Sequence, residues 1–171
     1  MKQLFIQYAA YNLWANKILL DKLAIIPPEI LFKETGSSFG TIYKTIVHLM
    51  NVESIWWQRM KLQEHVQLPG NETDTDFSEF SKKWLSISKE WSDWANEASE
   101  NKMTFVFSYQ NTRKEYFKQP VYEVLLHLFN HQTFHRGQII TLLRQNGIDK
   151  IPATDFIVFS RTKAFKGLKG K

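Results

Sequence analysis

The chain has 171 residues, 43% of them hydrophobic and 15% aromatic, which suits one domain with a sizeable core and excludes a disordered segment. Cysteine is absent, which excludes disulfides, cysteine-ligated zinc, iron–sulfur clusters and a protein thiol nucleophile. The net charge of +5 is local: residues 161–171 carry Arg161, Lys163, Lys166, Lys169 and Lys171 with no acid, and the other 17 basic residues balance the 17 acids.

Four long segments with helical periodicity follow one another. The first spans about 3–25, with Leu4, Tyr8, Tyr11, Ala15, Ile18 and Leu19 on one stripe. Pro27 and Pro28 end it, since proline cannot continue the backbone ladder. The second spans about 39–64, with Ser37 or Ser38 as its cap and Pro69-Gly70-Asn71 as the loop beyond. In the third, Asp76 and Glu79 resemble a capping box, and Phe77, Phe80, Trp84, Ile87, Trp91, Trp94 and Ala98 recur at steps of three and four. That is the seam of a helical bundle. Aromatic alternation on both sides of Gln110-Asn111-Thr112 predicts a short hairpin between 103 and 118. The fourth helix starts at Pro120 and stops before Gly147. A short element over about 154–164 completes the chain. The expected fold is all-α: an antiparallel four-helix bundle over 1–164, with a hairpin insertion before helix four and a basic tail at 165–171.

No run of about 18 apolar residues predicts a membrane span, and the N-terminal segment lacks a secretory pattern, so a cytoplasmic protein with no membrane partner is expected. A nucleic-acid binder carries its basic stripe on a folded face. A charge excess confined to one terminus argues against that partner.

The chemistry concentrates on helix four, whose seam reads Val121, Val124, Leu128, His131, His135, Gln138, Leu142. Imidazoles facing a core cost free energy unless their nitrogens find partners. Two histidines at i and i+4 aim at one point, which favours a metal ion over two independent core histidines. His127 adds a third, but His127 and His135 stand about 12 Å apart along the axis. One ion with bonds of about 2.1 Å cannot bridge that gap, so either 127/131 or 131/135 serves, and the seam phase selects 131/135. His127 is left as a group beside the site or on the substrate side.

A further ligand must come from another helix. His48, within Ile46-Val47-His48-Leu49-Met50, is the candidate, although helix two is apolar nearly all round and its phase does not prove the direction. Glu53 is an alternative ligand or a supporting carboxylate, and His65 is expected to be exposed and idle. Three neutral histidines suit zinc or nickel, with iron or manganese behind, and leave positions open for water or substrate. A zinc protease of the His-Glu-x-x-His type is excluded, because Gln132 occupies the glutamate's place. Gly137 in mid-helix suggests close helix approach. Arg136 is a candidate ion-pair partner or anion-binding group, and Gln138 a group that orients metal-bound water.

The stretch His127-Leu128-Phe129-Asn130-His131-Gln132-Thr133-Phe134-His135-Arg136-Gly137-Gln138 resembles the helix-four signature of the DinB/YfiT-like metalloprotein family. Supporting matches are Tyr11 to Asn16, Ser38-Phe39-Gly40-Thr41-Ile42 with His48-Leu49, and Pro152 to Phe156. Carried over residue by residue, the family's metal-binding histidines fall on His48, His131 and His135. Phe134 departs from the pattern, where many relatives have another histidine. The resemblance implies a four-helix bundle, often a homodimer, holding zinc, nickel or a similar ion. It also implies a transferase that moves a low-molecular-weight thiol such as bacillithiol, mycothiol or glutathione onto a small electrophile. A metal-dependent hydrolase, and a non-catalytic stress-response protein with a structural metal, are the competing readings.

Overall fold

In the computed structural model, residues 1–70 and 76–168 are described, so Asn71, Lys169 and Lys171 lie outside the described residues. Four long helices build the body: α1 (Lys2–Leu23), α3 (Ile42–Met60), α4 (Phe77–Glu97) and α6 (Val121–Gln145). Between them sit a short α2 (Pro28–Phe32), α5 (Glu100–Thr104), and the strands β1 (Val106–Gln110) and β2 (Tyr116–Pro120), with α7 (Phe156–Phe159) and α8 (Lys163–Leu168) at the end.

The strands pair antiparallel as a hairpin, with Tyr109 opposite Phe117, immediately before α6. The helical bundle and the hairpin insertion are thus both present. The packed neighbours are α1 with α4 and α6, and α3 with α4 and α6, so α1 and α3 occupy opposite corners.

Helix directions follow from which residues meet. His48 lies by His131 while Trp56 lies by His127, so α3 and α6 run antiparallel. Tyr43 meets Phe80 and Trp57 meets Trp91, so α3 and α4 run the same way. Tyr8 stacks on Phe129 and Asn16 bonds Arg136, so α1 and α6 also share a direction. The bundle is therefore up-down-down-up, and antiparallel order holds for two of its four adjacent pairs. A parallel neighbour requires the chain to return along the helix it has just made before the next one starts.

Local chemistry sets the element ends, not always where the sequence pointed. The hydroxyl of Thr41 accepts from the Lys44 N–H at 3.0 Å, so Thr41 caps α3 in place of Ser37 or Ser38. Asp76 caps α4 by accepting from Glu79, as the pattern predicted. α1 ends at Leu23, ahead of the two prolines, and Pro28 opens α2 at a position where a missing N–H costs nothing.

Of the stripe expected on α1, Tyr11, Ala15 and Leu19 are buried. Leu4 is exposed, and the buried face runs through Phe5, Ala9, Asn12, Asn16, Leu19 and Leu23. The boundary expected after residue 164 falls inside α8, whose Phe165 is buried against Tyr11, Ala15 and Phe159. No helix among the described residues is long and apolar enough to cross a membrane.

Candidate metal centre

His131 and His135 sit one turn apart on α6 and project from one face, as side chains at i and i+4 must. The antiparallel α3 brings His48 to the same point. His131 Nε2 lies 3.1 Å from His48 Nε2 and 3.2 Å from His135 Nε2, and all three ligand atoms lie within 4.8 Å of one another. Tetrahedral ligands with bonds of about 2.0–2.1 Å sit about 3.3 Å apart, so the spacing matches one small cation.

Protonation sharpens the case. His135 Nδ1 donates to Gln138 Oε1 at 2.6 Å, which leaves its Nε2 as a bare lone pair turned to the other rings. Burial, then the neighbouring histidines, pushes His131 down to about 3, and burial with His135 pushes His48 down to about 4. Both rings are therefore neutral at pH 7, and a neutral imidazole has one unprotonated nitrogen to offer a cation. The residues fit a divalent metal ion. His131 Nδ1 is the exception to full support: it is buried with no hydrogen-bond partner among the described residues.

The surroundings come from three directions. Phe39 stacks on His48 with ring centres 4.1 Å apart and meets His135 edge-on at 5.4 Å. Gly40, at φ +80°, makes the turn that leads from Phe39 into Thr41 and α3. Gln132, fully buried, donates to the Leu49 carbonyl at 2.9 Å, so the residue in the protease glutamate's place lashes α6 to α3 beside His48. Phe134 is exposed at 62% and touches only the edge of His135.

The remaining candidates separate from the triad. His127 is exposed, outside the ligand group, and rests edge-on against Trp56. Glu53 is completely buried elsewhere: Oε1 accepts from Asn12 at 2.7 Å and Asn16 at 2.8 Å, and Oε2 accepts from Ser88 at 2.6 Å. Arg136 donates to the same two amides, Asn12 and Asn16, at 2.7 Å each. It thus meets Glu53 through amide bridges and not as a direct ion pair. Gln138 orients His135. Gly137 has open space where a Cβ would stand, so it does not serve helix approach. Gly70 does: a Cβ there would collide with Met50, and its backbone exchanges hydrogen bonds with Asn51.

Phe39 and Asn16 lay within the motifs that matched the family but were given no role from the sequence, and Ser88 was not singled out. Phe39 had a further signal, as the aromatic residue just ahead of a helix that carries a ligand. Ser88 had none, because its partners Glu53 and Asn16 lie far away in the chain.

Set beside known proteins, residues 1–164 match the model of the DinB family. The chain belongs to the DinB family. Protein DinB of Bacillus subtilis (strain 168) is 27% identical over 165 residues, covering 91% of this chain and 94% of that protein. A crystal structure of a DinB-like protein from Bacillus cereus ATCC 10987 superposes with a TM-score of 0.61, covering 81% of this chain and 89% of that one. At 17% identity that likeness concerns the fold. For this DinB-family chain, the resemblance read from its helix-four signature and the helical bundle both hold, and its histidine triad can hold a metal ion.

Proposed function

We propose that the protein is a metal-dependent transferase in which His48, His131 and His135 hold zinc or nickel, and which moves a low-molecular-weight thiol onto a small electrophile. The observation that carries this reading is the convergence of three Nε2 atoms from two helices, two of the spacings being 3.1 and 3.2 Å. Among the described residues no fourth His or carboxylate joins the group, which favours an open coordination position. When bound, a divalent cation supplies Lewis acidity that lowers the pKa of a thiol or water beside it. The chain's own residues supply the frame. Gln138 fixes the tautomer of His135, Gln132 sets the spacing of α3 and α6, and Phe39 covers the rings of His48 and His135. With no cysteine in the chain, the thiol comes from a cosubstrate.

The test is spectroscopic. Protein carrying one Co²⁺ per chain should develop a sulfur-to-metal charge-transfer band when glutathione is added. The thiol should titrate well below its free value of about 8.5. His48→Ala should weaken both signals. A folded, fully loaded protein whose spectrum ignores every small thiol would overturn the transferase reading in favour of hydrolysis or a structural ion.

A further inference from the structure

A second candidate site lies at the other end of α3. The last turn of α3, the 61–68 segment and the hairpin enclose a cavity of about 720 Å³, a size usual for small-molecule sites. Arg59 lines it. The guanidinium carbon lies 4.9 Å from the ring centre of Trp56 and 5.2 Å from that of Tyr109, so aromatic rings on both α3 and β1 hold the cation.

What the cation lacks is an anion. Among the described residues no carboxylate pairs with it, although Glu64 lines the same cavity. Its Nε is buried without a hydrogen-bond partner. A guanidinium offers five N–H donors in a fork that matches a carboxylate, and leaving a buried donor unmade costs free energy. Two aromatic contacts hold this fork in place, and the lining around it adds hydrogen-bonding groups on Gln63, His65 and Gln110.

A row of packed rings runs from the cavity toward the triad, beginning with Tyr109 against Trp56 at 4.9 Å. Trp56 meets His127 at 5.6 Å between ring centres, and His127 meets His131 at 5.7 Å. Arg59 follows His48 by eleven residues on α3, about 16 Å along the helix. A molecule of tripeptide size, about 10 Å when extended, covers most of that path.

We propose that this cavity is a carboxylate-recognition subsite, in which Arg59 binds a carboxylate of a small molecule that extends along Trp56 and His127 toward the histidine triad. What lies at the far end rests on the thiol-transferase reading; the carboxylate subsite does not. Arg59 acts by placing the ligand, and takes no part in bond making.

The direct readout is the Arg59 Nε–H resonance in metal-loaded, ¹⁵N-labelled protein, assigned by its loss in R59K. The probes are glutathione, S-methylglutathione, whose sulfur is blocked, and succinate. Both peptides should shift the resonance saturably in the wild-type protein. R59Q, checked for an unchanged thermal midpoint, should bind S-methylglutathione at least tenfold more weakly, and R59K should fall between. Removing the metal should weaken glutathione and leave S-methylglutathione unaffected. If S-methylglutathione binds through Arg59 but the metal adds nothing for the free thiol, the subsite stands and the transferase reading fails. If all three probes leave the resonance unmoved, or bind R59Q as well as wild type, Arg59 is only a brace between α3 and the hairpin and the subsite is overturned.

Discussion

His135 and Arg136 are consecutive on α6, yet they serve polar clusters of opposite character. Arg136 points into the middle of the bundle, where Asn12, Asn16, Glu53 and Ser88 meet it from three other helices. That cluster largely closes on itself. Each amide gives its N–H to Glu53 and its oxygen to Arg136, so negative and positive charge are both hydrogen-bonded without touching. His135 points the other way, into a group where three imidazole nitrogens from two helices converge on one point. A buried polar cluster that balances donors against acceptors holds a fold together; one that concentrates a single kind of group is waiting for a ligand.

Breaking the triad should give the largest effect. His131→Ala and His135→Ala should each abolish tight binding of one divalent ion per chain, whereas His127→Ala should keep it, as elemental analysis will show. Loss of the ion from His127→Ala with retention in His135→Ala would shift the ligand pair by a helical turn.

Breaking the closed cluster should act on stability instead. Glu53→Ala removes the buried counter-charge of Arg136 and the acceptor for Asn12, Asn16 and Ser88, and should cost about 3–5 kcal/mol in denaturant unfolding of the metal-free protein. Glu53→Gln should cost less, since it keeps an acceptor for the amides. Gln138→Leu should do the reverse: metal affinity falls about 10–100-fold while unfolding of the metal-free protein changes little.

The finest comparison is in pH, where the clusters have opposite sign. His48 and His131 titrate near 4 and 3 when folded and near 6.5 when unfolded. The unfolded chain therefore binds more protons in between, and stability of the metal-free protein falls as pH drops below 6.5. Burial raises Glu53 above its ordinary value of 4.5, against the pull of its hydrogen bonds to Ser88, Asn12 and Asn16. Here the folded chain binds the extra proton, so this contribution is complete below 4.5 and is lost as pH rises through the folded value. His131→Ala should flatten the stability profile between pH 4 and 6.5, and Glu53→Gln should flatten it above 4.5. If neither variant changes the profile, the triad and the closed cluster do not differ in the way described.

The triad was legible because α6 is one unbroken helix and its seam has a readable phase. His48 was less so, since an apolar surface all round α3 hides which way a single histidine turns; its position was settled by α3 running antiparallel to α6. Of the closed cluster, the sequence offered Glu53 as a supporting carboxylate and Arg136 as an ion-pair partner, but not the amides that join them. Asn12 and Asn16 look like solvated residues on a local pattern, and only partners on α3, α4 and α6, from 37 to 124 residues away, explain their burial. On α1 the stripe was right at Tyr11, Ala15 and Leu19 and wrong at its start, where Phe5 is buried and Leu4 is not. Helix order escaped the sequence because periodicity records which face is apolar and not which neighbour covers it.

The up-down-down-up order also fixes when the site can exist during synthesis. As α3 emerges, neither α4 nor α6 has been made, and of the elements it touches α1 and the short α2 precede it in the chain. His48 then waits through 83 further residues for His131. Before α6 is made the triad is represented by His48 alone, so the three-histidine chelate comes after α1, α3 and α4 in synthesis. The free energy of binding an ion there then acts as a seal on the finished fold.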